Sequence, residues 1–374
     1  MRTVTLVLVD PAGEVLGSPP PFEVSTPWWQ EVGEIAERAG GPVLRLLHGD
    51  RPGPPGGHVT YLAETAAPPS GLTPAEIDRT PQPHRAAYAE VGGPAATLDW
   101  AADRIGRRTA RQQRTWNLSA IWRLDDPADQ PVALIKQVPR FFAHEPQAIR
   151  LVDAVRPGLV PPLIADDEDG RMLLGYLPGR DGHDAGPEIC DRIAAAFHPV
   201  QEHFSGRVGE LAGIPDRRRL DLAFAQPFRE TVPGLADLLD DLPRRRAEIA
   251  GCGLPDTLVH GDLHPGNVRI GDDGRLTIMD WGDCYLGHPA LDVLRLTERL
   301  ADAEAVLEHW AYRWERSVPG SEPRRAAELM RPMAMLWGAA TYAGFLAAIE
   351  PAEYPYHAAD VPEYLAAAVR AAKP

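Results

Sequence analysis

Apolar and polar positions alternate strand-like at the start of this chain and recur at helical spacing towards its end. Thr3-Val-Thr-Leu-Val-Leu-Val-Asp10 predicts a mostly buried strand, closed by the turn Asp10-Pro-Ala-Gly13. Trp28 to Ala39 reads as a helix, Val43 to Leu47 and His58 to Ala63 as strands, which makes a small α/β unit. The acidic positions of Gln30 to Glu34, with Glu37, read as the solvated face of that helix. The Pro/Gly-rich stretch from Ala66 to Pro83 reads as a connection, and a domain boundary is expected near residue 98.

A helix from Ala95 to Ile105 is followed by two strand patterns, Thr115 to Leu124 and Val132 to Val138, joined by the polar turn Asp125 to Gln130. A helix over Ala143 to Val155 and strands around Leu163 and Met172 to Leu177 come next. Beyond Pro178-Gly179 the pattern turns helical, through Glu188 to Phe204, Leu220 to Thr231, Leu235 to Ala250 and nearly everything after His288. The expected division is 1–98 as a small α/β domain, 99–177 as a β-rich lobe and 178–374 as a helical lobe.

Between the helices lies Leu258-Val-His-Gly-Asp-Leu-His-Pro-Gly-Asn-Val268, a loop because Pro265-Gly266 forbids a helix there. It feeds a strand, the acidic turn Gly271 to Gly274 and a second strand that ends at Met279-Asp280. An acid, an amide five positions on and a second acid after the next apolar run suit phosphoryl transfer. Asp262 would orient the attacking hydroxyl, while Asn267 and Asp280 would supply oxygen ligands to Mg2+.

Composition narrows the choice of partners. The formal charge of −15 disfavours nucleic acid, and no apolar run is long enough for a membrane span, so a cytoplasmic protein is expected; oligomeric state is not legible. Cys190, Cys252 and Cys284 are too far apart for a C-x-x-C pair. Of 38 basic residues only Lys136 and Lys373 are lysines, so Lys136 is a compact ammonium in a chain that otherwise uses arginine.

His260-x-Asp262-x4-Asn267, with Asp280 downstream and Gly287-x-Pro289-x2-Asp292 after it, resembles the aminoglycoside phosphotransferase family of protein-kinase-like enzymes. The resemblance covers about residues 99 to 374 and is tight at 258–292. It implies an α+β, two-lobed kinase-like fold with a β-rich N-lobe and a helical C-lobe, here preceded by the small α/β domain. It implies an ATP site in which Lys136 touches the phosphates and Glu145 holds Lys136 by an ion pair; because Pro146 confines Glu145 to the first helical turn, Asp153 is the substitute partner. Backbone groups of Gly175 and Leu177 would read the adenine edge. His260 would brace the loop, Asp292 would tie down its backbone, and Asp283 would serve as a second metal ligand or a turn residue. No G-x-G-x-x-G precedes Lys136, so Trp116-Asn-Leu-Ser-Ala120, with the Ser119 hydroxyl, would have to form the phosphate turn; GTP stays open beside ATP.

The expected reaction is transfer of the γ-phosphoryl group to a hydroxyl of a small molecule, an aminoglycoside or another antibiotic, as in resistance or self-protection. A nucleoside antibiotic, a sugar or another hydroxylated metabolite is the alternative acceptor. The loop carboxylates Glu350, Glu353 and Asp360 are the expected acceptor ligands, while Trp310, Trp314, Trp337 and Tyr342 at helical spacing are read mainly as packing. Two readings of other classes remain: a metal-dependent hydrolase using His264 and His288 with His260 and Asp262, and a catalytically dead kinase fold acting as a binding module.

Overall fold

The computed structural model describes residues 1–373, which form two compact units. The first comprises 1–143, 163–176 and 344–359; the second comprises 144–162, 177–343 and 360–373. The expected boundary near residue 98 does not separate them, because 1–98 shares the first unit with the strands that follow.

The first unit holds two five-stranded sheets. One is built from β1 (Arg2–Val9), β2 (Val15–Gly17), β3 (Phe22–Val24), β4 (Val43–Gly49) and β5 (His58–Glu64), in the order β2-β1-β5-β4 with β3 also on β1. Helix α1 (Gly33–Ala39) accompanies it and starts later than its pattern suggests. Residues 28–32 go to other partners: Trp29 is buried and donates its indole N–H to the Gly56 carbonyl at 2.7 Å, and the Val32 N–H goes to Gln113. Val4, Leu6, Leu8, Trp29, Ile35 and Val59 form the core of this sheet, joined from far along the chain by Tyr356.

Helix α2 (Gly93–Ile105) leads into the second sheet, an antiparallel set ordered β6-β7-β8-β10-β9. Its strands are β6 (Thr109–Trp116), β7 (Ser119–Asp125), β8 (Pro131–Gln137), β9 (Leu163–Asp166) and β10 (Arg171–Gly175). The apolar run read as one strand over 115–124 is therefore a hairpin whose tight turn, Asn117-Leu118, lies inside it. Pairing with β7 and β10 makes β8 central, so Lys136 lies between Ile121 and Met172 in register.

The second unit is mainly helical: α3 (Glu145–Val155), α4 (Pro187–Ser205), α5 (Leu235–Gly251), α6 (Ala290–Thr297), α7 (Glu304–Ser317), α8 (Pro323–Ala348), whose end passes into the first unit, and α9 (Asp360–Ala372). Leu220 to Thr231 gives only a short 3-10 turn over Ala223–Phe228 instead of the expected helix, since Pro227 withdraws a backbone donor. Short strands β11 (Arg180–Asp181), β12 (Thr257–Val259), β13 (Val268–Ile270), β14 (Leu276–Ile278) and β15 (Tyr285–Gly287) carry the central loop. They pair as β11-β13-β14 and β12-β15. Among the described residues no helix is long and apolar enough to cross a membrane.

Candidate active site

Strand β12 ends at Val259 and the chain turns immediately through His260-Gly261-Asp262. Only glycine fits the middle position: φ is +86°, and a Cβ there would lie 2.1 Å from the Asp283 carbonyl oxygen. His260 is fully buried, donates from Nε2 to the Met279 carbonyl (2.9 Å) and accepts the Asp262 N–H at Nδ1 (3.3 Å). Those two bonds fix its tautomer, and burial pushes its pKa down to about 4, so the ring is a neutral brace. From α6, Asp292 accepts the N–H groups of His260 (3.0 Å) and Gly261 (3.1 Å), and Gln201 donates to it at 2.9 Å. Burial raises its pKa to about 7 against those hydrogen bonds.

Asp262 is held on both oxygens. Arg295 Nε donates to Oδ1 at 2.8 Å and Asn267 Nδ2 to Oδ2 at 3.1 Å. His264 Nδ1 accepts the Gly266 N–H (3.0 Å), which leaves the ring hydrogen on Nε2, 3.5 Å from Oδ2. Burial alone would raise this carboxyl; the His264 hydrogen bond and the Arg295 charge outweigh it and hold Asp262 well below the usual carboxylate range.

The amide of Asn267 also donates to the Asp262 carbonyl at 3.0 Å, so its hydrogens serve Asp262 and the acceptor oxygen Oδ1 is not used in these bonds. Val268 pairs with Ile278 across the β13–β14 hairpin, and the Met279 N–H reaches the Asn267 carbonyl at 2.8 Å. Asp280 follows at once, exposed and with φ +63°. An amide oxygen and a carboxylate, both hard donors, fit Mg2+. The N–H of Trp281 donates to Glu145 Oε1 at 3.2 Å, and its buried ring packs on Phe197 and His260 with centroids 5.4 and 4.6 Å away. Glu145, itself buried, thereby fixes the residue next to Asp280.

The remaining expected residues lie on neighbouring elements. Lys136 is nearly buried on β8. Ser119 accepts the Trp116 indole N–H at 3.2 Å, and Asn117 in the same turn is buried between Glu353 Oε2 (3.1 Å) and His357 Nε2 (2.8 Å). The turn expected to cradle phosphate is thus engaged by the chain itself. Gly175 pairs with Ala133 at the end of β10, and the Leu177 carbonyl accepts Arg269 Nε at 3.2 Å. Asp153 caps the Gly158 N–H at 3.1 Å, and the carbonyl of half-buried Asp283 closes over Gly261.

The expected acceptor carboxylates need correction. Glu350 is 5% exposed and takes Arg85 through three N–H contacts of 2.7 to 3.1 Å; Glu353 is 3% exposed and accepts the Leu46 N–H as well as Asn117. Both are buried partners within the first unit. Their prolines make a 3-10 turn, Pro351–Tyr356, and the apolar Tyr356 carries it into the core. Asp360 instead opens α9 in the second unit, where its charge, after burial, helps to raise the phenols of Tyr342 and Tyr364. Those rings lie 5.4 Å apart, and the charges of Asp262 and Arg295 reach both phenols.

The donor on Asp262 that the sequence reading missed is Arg295, although its position three residues after Asp292 on one helix puts both on the same face. Of the histidines a hydrolase would need, His264 accepts the Gly266 N–H and His288 the Ala290 N–H at 3.2 Å, each at Nδ1. Among the described residues no three His, Cys, Asp or Glu side chains gather as a metal site.

Residues 138–329, just over half of the chain and including the whole of this loop, match the phosphotransferase enzyme family (APH). The chain belongs to that family. No curated protein matches this phosphotransferase. Among solved structures it is similar to a choline/ethanolamine kinase family protein from Mesorhizobium loti, with 17% identity over 74% of this chain and 95% of the other and a TM-score of 0.52. An ethanolamine kinase from Plasmodium vivax aligns with 9% identity over 71% and 82%, TM-score 0.51. The choline kinase LicA from Streptococcus pneumoniae aligns with 14% identity over 74% and 99%, TM-score 0.50. At such identities the likeness shows the fold: the phosphotransferase has the two-lobed, kinase-like α+β architecture.

Proposed function

We propose that this phosphotransferase moves the γ-phosphoryl group of ATP to a hydroxyl of a small, positively charged molecule, an aminoglycoside or another hydroxylated cation. The observation that carries the reading is the hairpin in which Asn267 holds Asp262 through its amide hydrogens and pairs through its backbone with Met279, the residue before Asp280. Asp262 orients the acceptor hydroxyl, and its anionic state favours the partial positive charge of that proton as the new bond forms. Asn267 and Asp280 would hold Mg2+, which when bound offsets charge on the nucleotide phosphates. Lys136 supplies an ammonium to the same phosphates, as the family resemblance implies. The chain's charge of −15 supports a cationic acceptor. The test is a screen of hydroxylated cations, neutral sugars and nucleosides for ATP- and Mg2+-dependent gain of a phosphate by mass spectrometry. Gain confined to cations supports the reading, gain only in neutral sugars or nucleosides removes the cationic acceptor, and ATP-independent hydrolysis of any compound removes the transfer.

A further inference from the structure

Arg295 lies outside the motif that identifies the loop, and so does Glu298 at the C-terminal end of α6. Both are joined to Asp262 by a chain of contacts. Arg295 Nη1 is paired with Glu298 Oε2, and Arg295 Nε donates to Asp262 Oδ1 at 2.8 Å, so one guanidinium serves two carboxylates from different edges. Left to itself, a planar guanidinium fork takes a carboxylate through both oxygens. Here the contact runs through Oδ1 alone, and Oδ2 has only the Asn267 amide and the His264 ring as partners. Both acidic partners favour the charged form of Arg295 against the cost of its burial.

We propose that Arg295 and Glu298 are positioning residues: Arg295 locks Oδ1 of Asp262, and Glu298 restrains the guanidinium from closing over Oδ2, whose lone pair not used by the Asn267 amide takes the acceptor hydroxyl. The proposal rests on the role given to Asp262 above. It goes further by assigning Glu298 an effect that exists only through Arg295.

The experiment is a double-mutant cycle on the full-length protein, reading MgATP turnover with water or the acceptor found by the screen, MgATP affinity, and thermal stability. Glu298→Ala should lower kcat about tenfold with MgATP affinity unchanged, and Glu298→Gln, whose amide oxygen can still accept from Nη1, should restore most of it. Arg295→Gln should also lose turnover, and adding Glu298→Ala to it should cost nothing more, because nothing is left to restrain. The same silence is expected in an Arg295→Lys background, which keeps the charge but not the fork, if the glutamine variant fails to fold. Additive losses in the double variants, or wild-type turnover in Glu298→Ala, overturn the proposal. Asp262→Asn separates the two levels: wild-type turnover in that variant removes the reading of Asp262, whereas its loss beside unaffected Arg295 and Glu298 variants removes only the positioning roles.

Discussion

Gly261→Ala tests the loop geometry directly. The added methyl would meet the Asp283 carbonyl oxygen at 2.1 Å and its carbon at 2.9 Å, both backbone atoms that no rotamer change can clear. The position also has φ +86°, a conformation that costs an L-residue about 1–2 kcal/mol. Forcing a carbon into a packed site adds about 1–3 kcal/mol, so the whole loss should be roughly 2–5 kcal/mol. Gly213 is the control: its φ is +88° but nothing lies within 4 Å of the added carbon, so Gly213→Ala should lose only the conformational part, about 1–2 kcal/mol. Urea unfolding of both variants at neutral pH measures the difference. Because residue 261 links His260 to Asp262, MgATP turnover should also fall in Gly261→Ala and stay near wild type in Gly213→Ala. Equal stability losses in the two variants would refute the close approach of the loop to Asp283, and a Gly261→Ala loss within about 0.5 kcal/mol of zero would refute the strain as well.

Lys136→Ala should weaken MgATP affinity by about tenfold or more in calorimetry while leaving the fold intact; unchanged affinity removes the phosphate role of Lys136. Replacing Arg295 by Gln should reduce stability by about 1–3 kcal/mol for a half-buried pair. The folded pKa of Asp262 is lowered from 3.8, so its contribution is fully present above 3.8 and lost only as pH falls through the lower folded value. The gap between the Arg295→Gln variant and wild type should therefore stay constant from about pH 5 to about pH 8 in urea melts, and a gap that closes within that range contradicts the charge pair. Glu350→Ala leaves buried Arg85 with Glu90 at 3.4 Å, and should cost near the lower end of roughly 3–5 kcal/mol. A raised acceptor KM with unchanged stability would instead return Glu350 to the acceptor site.

Local pattern was enough for most of the elements and for the central loop. Alternation, Pro265-Gly266 and the acidic turn placed the β13–β14 hairpin, and hydrogen bonding in that hairpin brings Asn267 beside Met279-Asp280. Contacts across long separations were not legible. Nothing local tells that Glu350 will meet Arg85 or that Glu353 will meet Asn117, and two acids beside prolines look the same on a free loop as in a buried turn. The turn inside 115–124 was hidden because Asn117-Leu118 carries neither Gly nor Pro; the buried Asn117 side chain does the fixing. Arg295 was overlooked for a different reason: its partner Asp262 lies 33 positions earlier, and the carboxylate of Asp292 helps to bring loop and helix together.

The central claim, that Asp262 directs phosphoryl transfer from ATP, is tested most directly by following label from the γ-phosphate of ATP into the acceptor with wild type and Asp262→Asn side by side. Transfer should fall by about a thousandfold or more in the variant while MgATP affinity stays within about twofold. Label appearing in the acceptor at the wild-type rate with Asn at position 262 would contradict it.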